Sequence, residues 1–221
     1  MQLSSDSLQN KLLDDLLAAL PKNKDQYSKY QDDPVGFAEK ELGLTLTHDI
    51  KAILESVRDN PVTVVISANA VGKSFTAGHI LTIWFYVCFL DSQVYTCAAP
   101  PESNLKKILW AEIGHVVEQH PELFEGHTKT KLHIQRLPQS FCTGVSIPMS
   151  GTEAQREAKF SGKHAPHLFF VVDEGDAVPD EVFRGIESCM SGGHARLLIM
   201  FNPRAEVGAA YRMIRDGRAN V

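Results

Sequence analysis

A short polar segment follows a run of β-branched residues, and its residue types suit phosphate binding. The run spans Val62–Ile66, and the segment after it consists of Ser67, Ala68, Asn69, Ala70, Val71, Gly72, Lys73, Ser74 and Phe75. Residues 67–74 match the G-x-x-x-x-G-K-[ST] pattern of a P-loop at every position except the first, where serine replaces glycine. In such a loop, backbone N–H groups and a helix N-terminus surround the phosphates. Residues 67–75 are therefore predicted to bind nucleotide, the alternative being a chance G-K-S sequence after a strand.

Two residues of this segment have side chains with defined roles toward a nucleotide. Lys73 would contact the β- and γ-phosphates as a point charge, which makes it a candidate catalytic residue. The Ser74 hydroxyl would bind the Mg²⁺ ion that bridges the same two phosphates. Ser67 is small enough to keep the tight turn if its φ is negative.

Two acidic residues end a fully apolar run about 100 residues further along. The run LFFVV at residues 168–172 is followed by Asp173 and Glu174. An apolar run indicates a buried central strand, and acids at its carboxyl end lie where open α/β sheets bind ligands. Asp173 would hold Mg²⁺ through water, and Glu174 would orient and activate the attacking water. The alternative is a solvated turn.

Another apolar run, at residues 196–201, ends in Asn202 and Pro203. Asn202 could contact the γ-phosphate or the attacking water and so couple the nucleotide state to motion, whereas a simple Asn-Pro turn is the alternative. Hydrolysis builds negative charge that a guanidinium from a neighbouring subunit can stabilise. Arg156 is the first candidate for this role and Arg204 the second, although each could be a plain surface charge.

The apolar periodicity around these motifs predicts alternating strands and helices. Strands are predicted at residues 62–66, 93–98, 131–135, 145–149, 168–172 and 196–201, and helices at residues 48–58, 73–90, 103–119 and 179–190. This alternation favours an α/β fold with a mostly parallel central sheet flanked by helices. The polar segment at residues 151–163 is predicted to be an exposed loop.

The first 45 residues are predicted to form an appended helical element, and residues 46–221 the main domain. Residues 7–20 place leucines on one helical stripe, Pro21 ends that helix, and a second helix is expected from residue 35 to about residue 42. The element could pack on the main domain or serve as a docking surface for a partner.

Composition narrows the class of protein. The chain has 221 residues with 22 Lys and Arg against 27 Asp and Glu, a net charge of −5, and 43% hydrophobic residues. These values fit a globular core and exclude collagen-like, mucin-like and wholly disordered classes. The longest apolar run, residues 80–90, is shorter than the roughly 20 residues of a membrane span, and no secretory signal is evident. Four widely spaced cysteines predict neither disulfides nor a zinc site.

The three motifs, in their order and spacing, resemble the ATPase domain of a phage terminase large subunit, the motor that packages viral DNA. Three stretches carry the resemblance. The family has a long passage similar to SGKHAPHLFFVVDEGDAVPDEVF at residues 161–183, and a segment after its second strand similar to AAPPESN at residues 98–104. The family's coupling motif is matched by FNP at residues 201–203. The resemblance covers about residues 45–205. It departs from the family at Gly175-Asp176, at Asp49, where many members have an adenine-reading Gln, and in having no Arg in the P-loop.

The resemblance implies a P-loop NTPase fold of the additional-strand, conserved-glutamate type, with ATP and Mg²⁺ as ligands. It also implies a homo-oligomeric ring around double-stranded DNA, with a portal protein and a small terminase subunit as partners, in the host cell cytoplasm and not at a membrane. In isolation the domain could be monomeric. The family continues into a nuclease domain, which we expect to be absent from this chain, so that nuclease activity is not expected.

Other functions remain open at this point. Another P-loop DNA motor such as a helicase would share these motifs. A nucleotide-dependent assembly switch with little turnover is a second alternative, although Glu174 and the lack of an N-K-x-D motif argue against it. A scaffold with a vestigial P-loop is a third.

Overall fold

The structure is a computed structural model, and it describes residues 26–68, 72–203 and 206–221. Its centre is a seven-stranded sheet with the order β1-β7-β6-β2-β5-β4-β3. The strands are β1 Val62–Ile66, β2 Ser92–Ala98, β3 Thr128–Thr130, β4 His133–Leu137, β5 Ser140–Gly144, β6 His167–Asp173 and β7 His194–Phe201. Strands β1, β7, β6, β2 and β5 run parallel, while β4 and β3 continue the sheet as antiparallel strands. The predicted mostly parallel α/β sheet is confirmed.

Helices cover both faces of the sheet. They are α1 Pro34–Lys40, α2 His48–Asp59, α3, which is π-helical over Phe75–Thr82 and α-helical over Ile83–Cys88, α4, which runs through Glu102–Asn104, Leu105–Leu109 and Trp110–Gln119, α5 Glu153–Phe160, α6 Asp180–Glu187 and α7 Ala209–Arg215. Within the described ranges, no helix is long and apolar enough to cross a membrane.

The apolar strands of the sheet are buried because each face packs against its own layer of helices. In β6, Phe169 and Val171 face the cluster formed with α1 to α4, while Phe170 and Val172 face the cluster formed with α5 to α7. A strand covered on both faces has a continuous apolar sequence rather than an alternating one. Strands β1, β7 and β6 are parallel, so their carboxyl ends lie at one edge of the sheet. Ser67 follows β1, Asn202 follows β7 and Glu174 follows β6, and all three therefore lie at that edge.

The described part of the N-terminal region packs against the main domain. Phe37 is fully buried in the cluster that also contains Trp84 of α3. The indole Nε1 of Trp84 donates a hydrogen bond to the Tyr30 carbonyl oxygen at 2.7 Å. These contacts favour packing over partner docking for residues 27–42, while the predicted helix at residues 7–20 lies outside the described residues. The domain boundary at residue 45 stays a prediction.

Two predicted strands differ from the structure. Residues 145–149 form no strand, because the chain pairs instead through Ser140–Gly144, whose Ser140 and Cys142 side chains face inward. Residues 131–132 form a two-residue turn between β3 and β4, so that the strand predicted from residue 131 begins at His133. Both errors lie next to β4, which pairs antiparallel with β3 and with β5, so that short hairpins fix the register there.

The segment predicted as an exposed loop contains helix α5, so that prediction was wrong. Thr152 Oγ1 accepts a hydrogen bond from the Gln155 N–H, and Gln155 Oε1 accepts one from the Thr152 N–H, which together form a capping box. At the other end Phe160 is buried against α6. Arg184 of α6 lies 3.0 Å from Glu157. The T-x-x-Q sequence was the overlooked signal for this helix.

A pair of histidines faces each other at the amino ends of β6 and β7. His167 and His194 are register partners, and their Nδ1 atoms lie 3.1 Å apart. Burial is the main cause that lowers the pKa of His194 to about 4, and the nearby Arg196 lowers it further. Burial also lowers the pKa of His167, although Asp91 opposes this effect. The fold therefore favours neutral imidazoles at this position.

This pair predicts a loss of stability in mild acid. Between pH 6.5 and about 4 the unfolded chain binds more protons at His194 than the folded chain does, so the free energy of unfolding falls as pH falls. We expect wild type to lose about 1 kcal/mol more than a His194→Gln variant between pH 7 and pH 5, after allowing for partial exposure. Urea denaturation at the two pH values measures this difference, and an identical loss in both proteins would contradict it.

Candidate nucleotide-binding site

The polar residues that follow β1, β6 and β7 line one cavity at the carboxyl edge of the sheet. Its volume is about 370 Å³, and its walls are formed by Gly72, Lys73, Ser74, Phe75, Glu112, Asp173, Glu174 and Asn202. Seven of these eight residues, all except Glu112, belong to the three sequence motifs. Asn69, Ala70, Val71 and Arg204 lie outside the described residues.

The Lys73 ammonium group connects the first and third motifs. Its Nζ donates hydrogen bonds to the Ser67 carbonyl oxygen at 2.9 Å, to the Ala68 carbonyl oxygen at 2.6 Å and to Asn202 Oδ1 at 2.7 Å. An ammonium group has three protons, so these acceptors use all of them. A phosphate oxygen entering the cavity would compete with these acceptors for the same charge.

The described residues around Lys73 have features that suit phosphate binding. Gly72 has a φ of 83°, which favours glycine, whereas Ser67 is not among the residues with positive φ. Helix α3 follows directly and carries no acidic residue in its first turn. The amino-terminal end of this helix carries a partial positive charge, which favours an anion.

Ser74 and Asp173 form a pair of oxygen donors beside Lys73. Ser74 Oγ donates a hydrogen bond to Asp173 Oδ2 at 3.3 Å. Asp173 is only 4% exposed, and burial is the main cause that raises its pKa, while hydrogen bonds from the Glu174 N–H and Ser74 lower it. A buried carboxylate is costly without a cation, and a hydroxyl next to a carboxylate suits Mg²⁺. The donors present therefore fit this metal.

Glu174 has an unusual backbone conformation. With φ of 52° and ψ of 43°, it is the non-glycine residue with positive φ in the described part of the chain. Its N–H donates to Asp173 Oδ1 at 2.9 Å, which fixes the turn. Such a conformation costs on the order of 1–3 kcal/mol and is found mainly at functional sites. The turn at the end of β6 thus places Glu174 at the wall of the cavity.

Packing against β7 explains why a glycine follows Glu174. A Cβ at Gly175 would lie 2.3 Å from Ile199 Cγ2 of β7. The departure from the family pattern at this position therefore follows from the close approach of the turn to β7.

The structure does not bring every predicted residue to this cavity. The Nε of Arg156 on α5 donates to the buried carboxylate of Glu181, and its guanidinium also donates to the Gly151 carbonyl oxygen at 3.0 Å. Arg156 is thus held within its own subunit and is not among the residues lining the cavity. Asp49, at the start of α2, has a side chain that is 96% exposed and lies 3.6 Å from His48.

One lining residue was missed by the sequence analysis. Glu112 lies in the middle of α4, where the sequence shows only an ordinary amphipathic helix. It reaches the cavity because α4 packs beside α3, and no local pattern of residue types indicates that packing.

Comparisons with individual known proteins agree with these motifs, whereas no model of a known protein family matches the sequence. The chain is 26% identical over 196 residues to a probable terminase large subunit of Enterobacteria phage P7; this match covers 86% of the chain and 39% of the relative. The chain thus spans about two fifths of that relative's length.

Solved structures of large terminases share the fold. The large terminase of bacteriophage HK97 matches with a TM-score of 0.62 at 16% identity, covering 86% of this chain and 43% of that one. The large terminase ATPase domain of Thermus phage P74-26 matches with a TM-score of 0.64 at 20% identity, covering 81% and 74%. The large terminase of the thermophilic bacteriophage D6E, in complex with ADP, matches with a TM-score of 0.53 at 10% identity, covering 89% of this chain and 44% of that one. In fold and in sequence, the chain resembles the ATPase domain of phage terminase large subunits.

Proposed function

We propose that this chain hydrolyses ATP to drive double-stranded viral DNA into a procapsid. The observation that carries the proposal is the cavity at the sheet edge, which is lined by Lys73, Ser74, Asp173, Glu174 and Asn202. These side chains supply a phosphate-binding charge, two metal-binding oxygens, a general base and a polar contact to the lysine. Together they suit phosphoryl transfer to water.

Each residue has a defined role in this proposal. Lys73 binds the β- and γ-phosphates, and Ser74 and Asp173 hold Mg²⁺, which when bound neutralises charge on the same phosphates. Glu174 orients the attacking water and accepts its proton. The ADP complex of the D6E large terminase supports a nucleotide as the ligand.

Asn202 couples the nucleotide state to motion in this account. Its Oδ1 accepts a hydrogen bond from Lys73 at 2.7 Å. A γ-phosphate would compete for that ammonium, so its arrival and departure would release and restore the contact. Because Asn202 directly follows β7, this exchange acts on the loop that leads to α7.

The partners follow from the same proposal. The working motor is a homo-oligomeric ring around double-stranded DNA that docks on a portal protein and works with a small terminase subunit in the host cytoplasm, while the isolated chain is monomeric. Arg156 would complete a neighbour's site after releasing Glu181. The sequence similarity to the probable terminase large subunit of phage P7 supports the proposal that this chain is part of a DNA-packaging motor.

The test is Mg²⁺-dependent phosphate release from ATP with long double-stranded DNA, with single-stranded DNA and without DNA. The proposal predicts turnover that double-stranded DNA stimulates most. Preference for single strands together with strand separation would favour a helicase. Nucleotide binding without turnover under all three conditions would favour an assembly switch.

A further inference from the structure

Glu112 is fixed beside the phosphate-binding helix by an unusually close contact between two helices. A Cβ at Gly78 of α3 would lie 2.8 Å from the Leu109 carbonyl oxygen and 3.0 Å from Glu112 Cβ of α4. The two helices therefore approach this closely because residue 78 is glycine. On α3, residue 78 lies about one turn after Ser74, so Glu112 stands next to the metal-binding end of the cavity.

Two histidines lie beside the Glu112 carboxylate. His79 Nδ1 lies 3.5 Å from Glu112 Oε2, and His115 Nδ1 lies 3.9 Å from the same oxygen. His79 is only 6% exposed, and its Nδ1 has no hydrogen-bond partner within the described ranges. The His79 ring packs on Phe75 with 4.6 Å between ring centroids. A metal site depends on the groups around its direct ligands as well as on the ligands themselves, and this buried imidazole lies beside a carboxylate that lines the cavity.

The chemistry of Mg²⁺ gives this carboxylate a role. Mg²⁺ loses its water reluctantly and is usually held by one or two carboxylates, with several water molecules retained. Ser74 supplies a direct donor, Asp173 holds the ion through water, and Glu174 is assigned to the attacking water. Glu112 is the remaining carboxylate among the lining residues.

We propose that Glu112 is a positioning residue that accepts hydrogen bonds from the water molecules of the Mg²⁺ held by Ser74 and Asp173. The backbone contact at Gly78 places the residue for this purpose, and the buried His79 ring lies beside its carboxylate. The inference rests on the proposed function of the cavity as a Mg²⁺-nucleotide site. It adds to that function a carboxylate from α4, outside the three sequence motifs.

The experiment compares Glu112→Gln with wild type in binding a fluorescent ADP analogue, first in EDTA and then at graded Mg²⁺ concentrations. Loss of an outer-shell partner lowers metal affinity by about 10–100-fold, so the half-saturating Mg²⁺ concentration should rise at least about tenfold. Affinity in EDTA should stay at the wild-type value, because no metal is then present. The matched control is Glu118→Gln, an exposed glutamate on the same helix, which should leave both values unchanged.

The outcomes separate the inference from the proposed function. If wild type shows Mg²⁺-dependent binding and Glu112→Gln has the same Mg²⁺ midpoint, the inference is overturned and the nucleotide site stands. An equal loss of affinity in EDTA and in Mg²⁺ would also overturn it, because Glu112 would then contact the nucleotide itself. If wild type binds no ADP analogue at any Mg²⁺ concentration, both the proposed function and the inference fail.

Discussion

Replacing Glu174 with glutamine should lower ATP hydrolysis by about 10²–10⁴-fold, the usual contribution of a general base. The amide has nearly the same size as the carboxylate but cannot accept a proton from water. In this account Lys73, Ser74 and Asp173 bind the phosphates and the metal. Nucleotide affinity should therefore remain near the wild-type value.

Single-turnover phosphate release and binding of a fluorescent ADP analogue measure the two effects separately. Glu125→Gln, which changes an exposed glutamate far along the sequence from the motifs, is the matched control and should leave both unchanged. Equal phosphate release in Glu174→Gln and wild type would remove Glu174 from the mechanism. Loss of binding together with turnover would instead indicate that the strained turn at Glu174 shapes the whole site.

Replacing Lys73 with alanine should weaken nucleotide binding by about 10–100-fold, since a charged hydrogen bond contributes about 1.5–3 kcal/mol. Turnover should fall further, by about 10³-fold, because the developing charge in the transition state loses a preorganised donor. The substitution also leaves Ser67, Ala68 and Asn202 oxygens without the ammonium group that they share. The same binding and phosphate-release assays measure both losses.

Lys107→Ala is the control for this second variant, because Lys107 is an exposed lysine on α4 outside the cavity. It should bind and hydrolyse ATP like wild type. Wild-type affinity in Lys73→Ala would show that nucleotide binds elsewhere on the molecule, and the assignment of the P-loop would then be wrong.

The central part of the fold could be predicted from the sequence because burial on both faces leaves a strong pattern. Strands β1, β6 and β7 are mostly apolar, and each leads directly to a polar residue of the site. Parallel strands bring their carboxyl ends to one edge, so the meeting of Lys73, Asp173 and Asn202 follows from the order of elements alone.

The parts that could not be predicted depend on contacts between distant segments. Helix α5 is short and polar on most of its surface, and it is held by its capping box, by Phe160 and by ion pairs with Arg184. Its apolar signal is one residue, too weak for a pattern of helical period. The error at residues 145–149 has a similar origin, since hairpin register rather than β-branched residues decides where β5 lies.

Glu112 shows the same limit within the site. Its position depends on Gly78, which lies 34 residues earlier in the chain and is one of several glycines with no motif around it. Arg156 shows the opposite case, since its residue type and place in the sequence suited a neighbour's site, whereas its side chain is paired with Glu181. Its action across subunits stays a proposal.

The measurement that tests the central claim most directly is ATP turnover with Mg²⁺ across a range of protein concentrations, with and without long double-stranded DNA, beside Lys73→Ala. The account predicts turnover that disappears in the Lys73→Ala protein and a specific rate that rises steeply with concentration as subunits assemble around DNA. Turnover that survives in Lys73→Ala, or nucleotide binding with negligible turnover at every concentration, would contradict it.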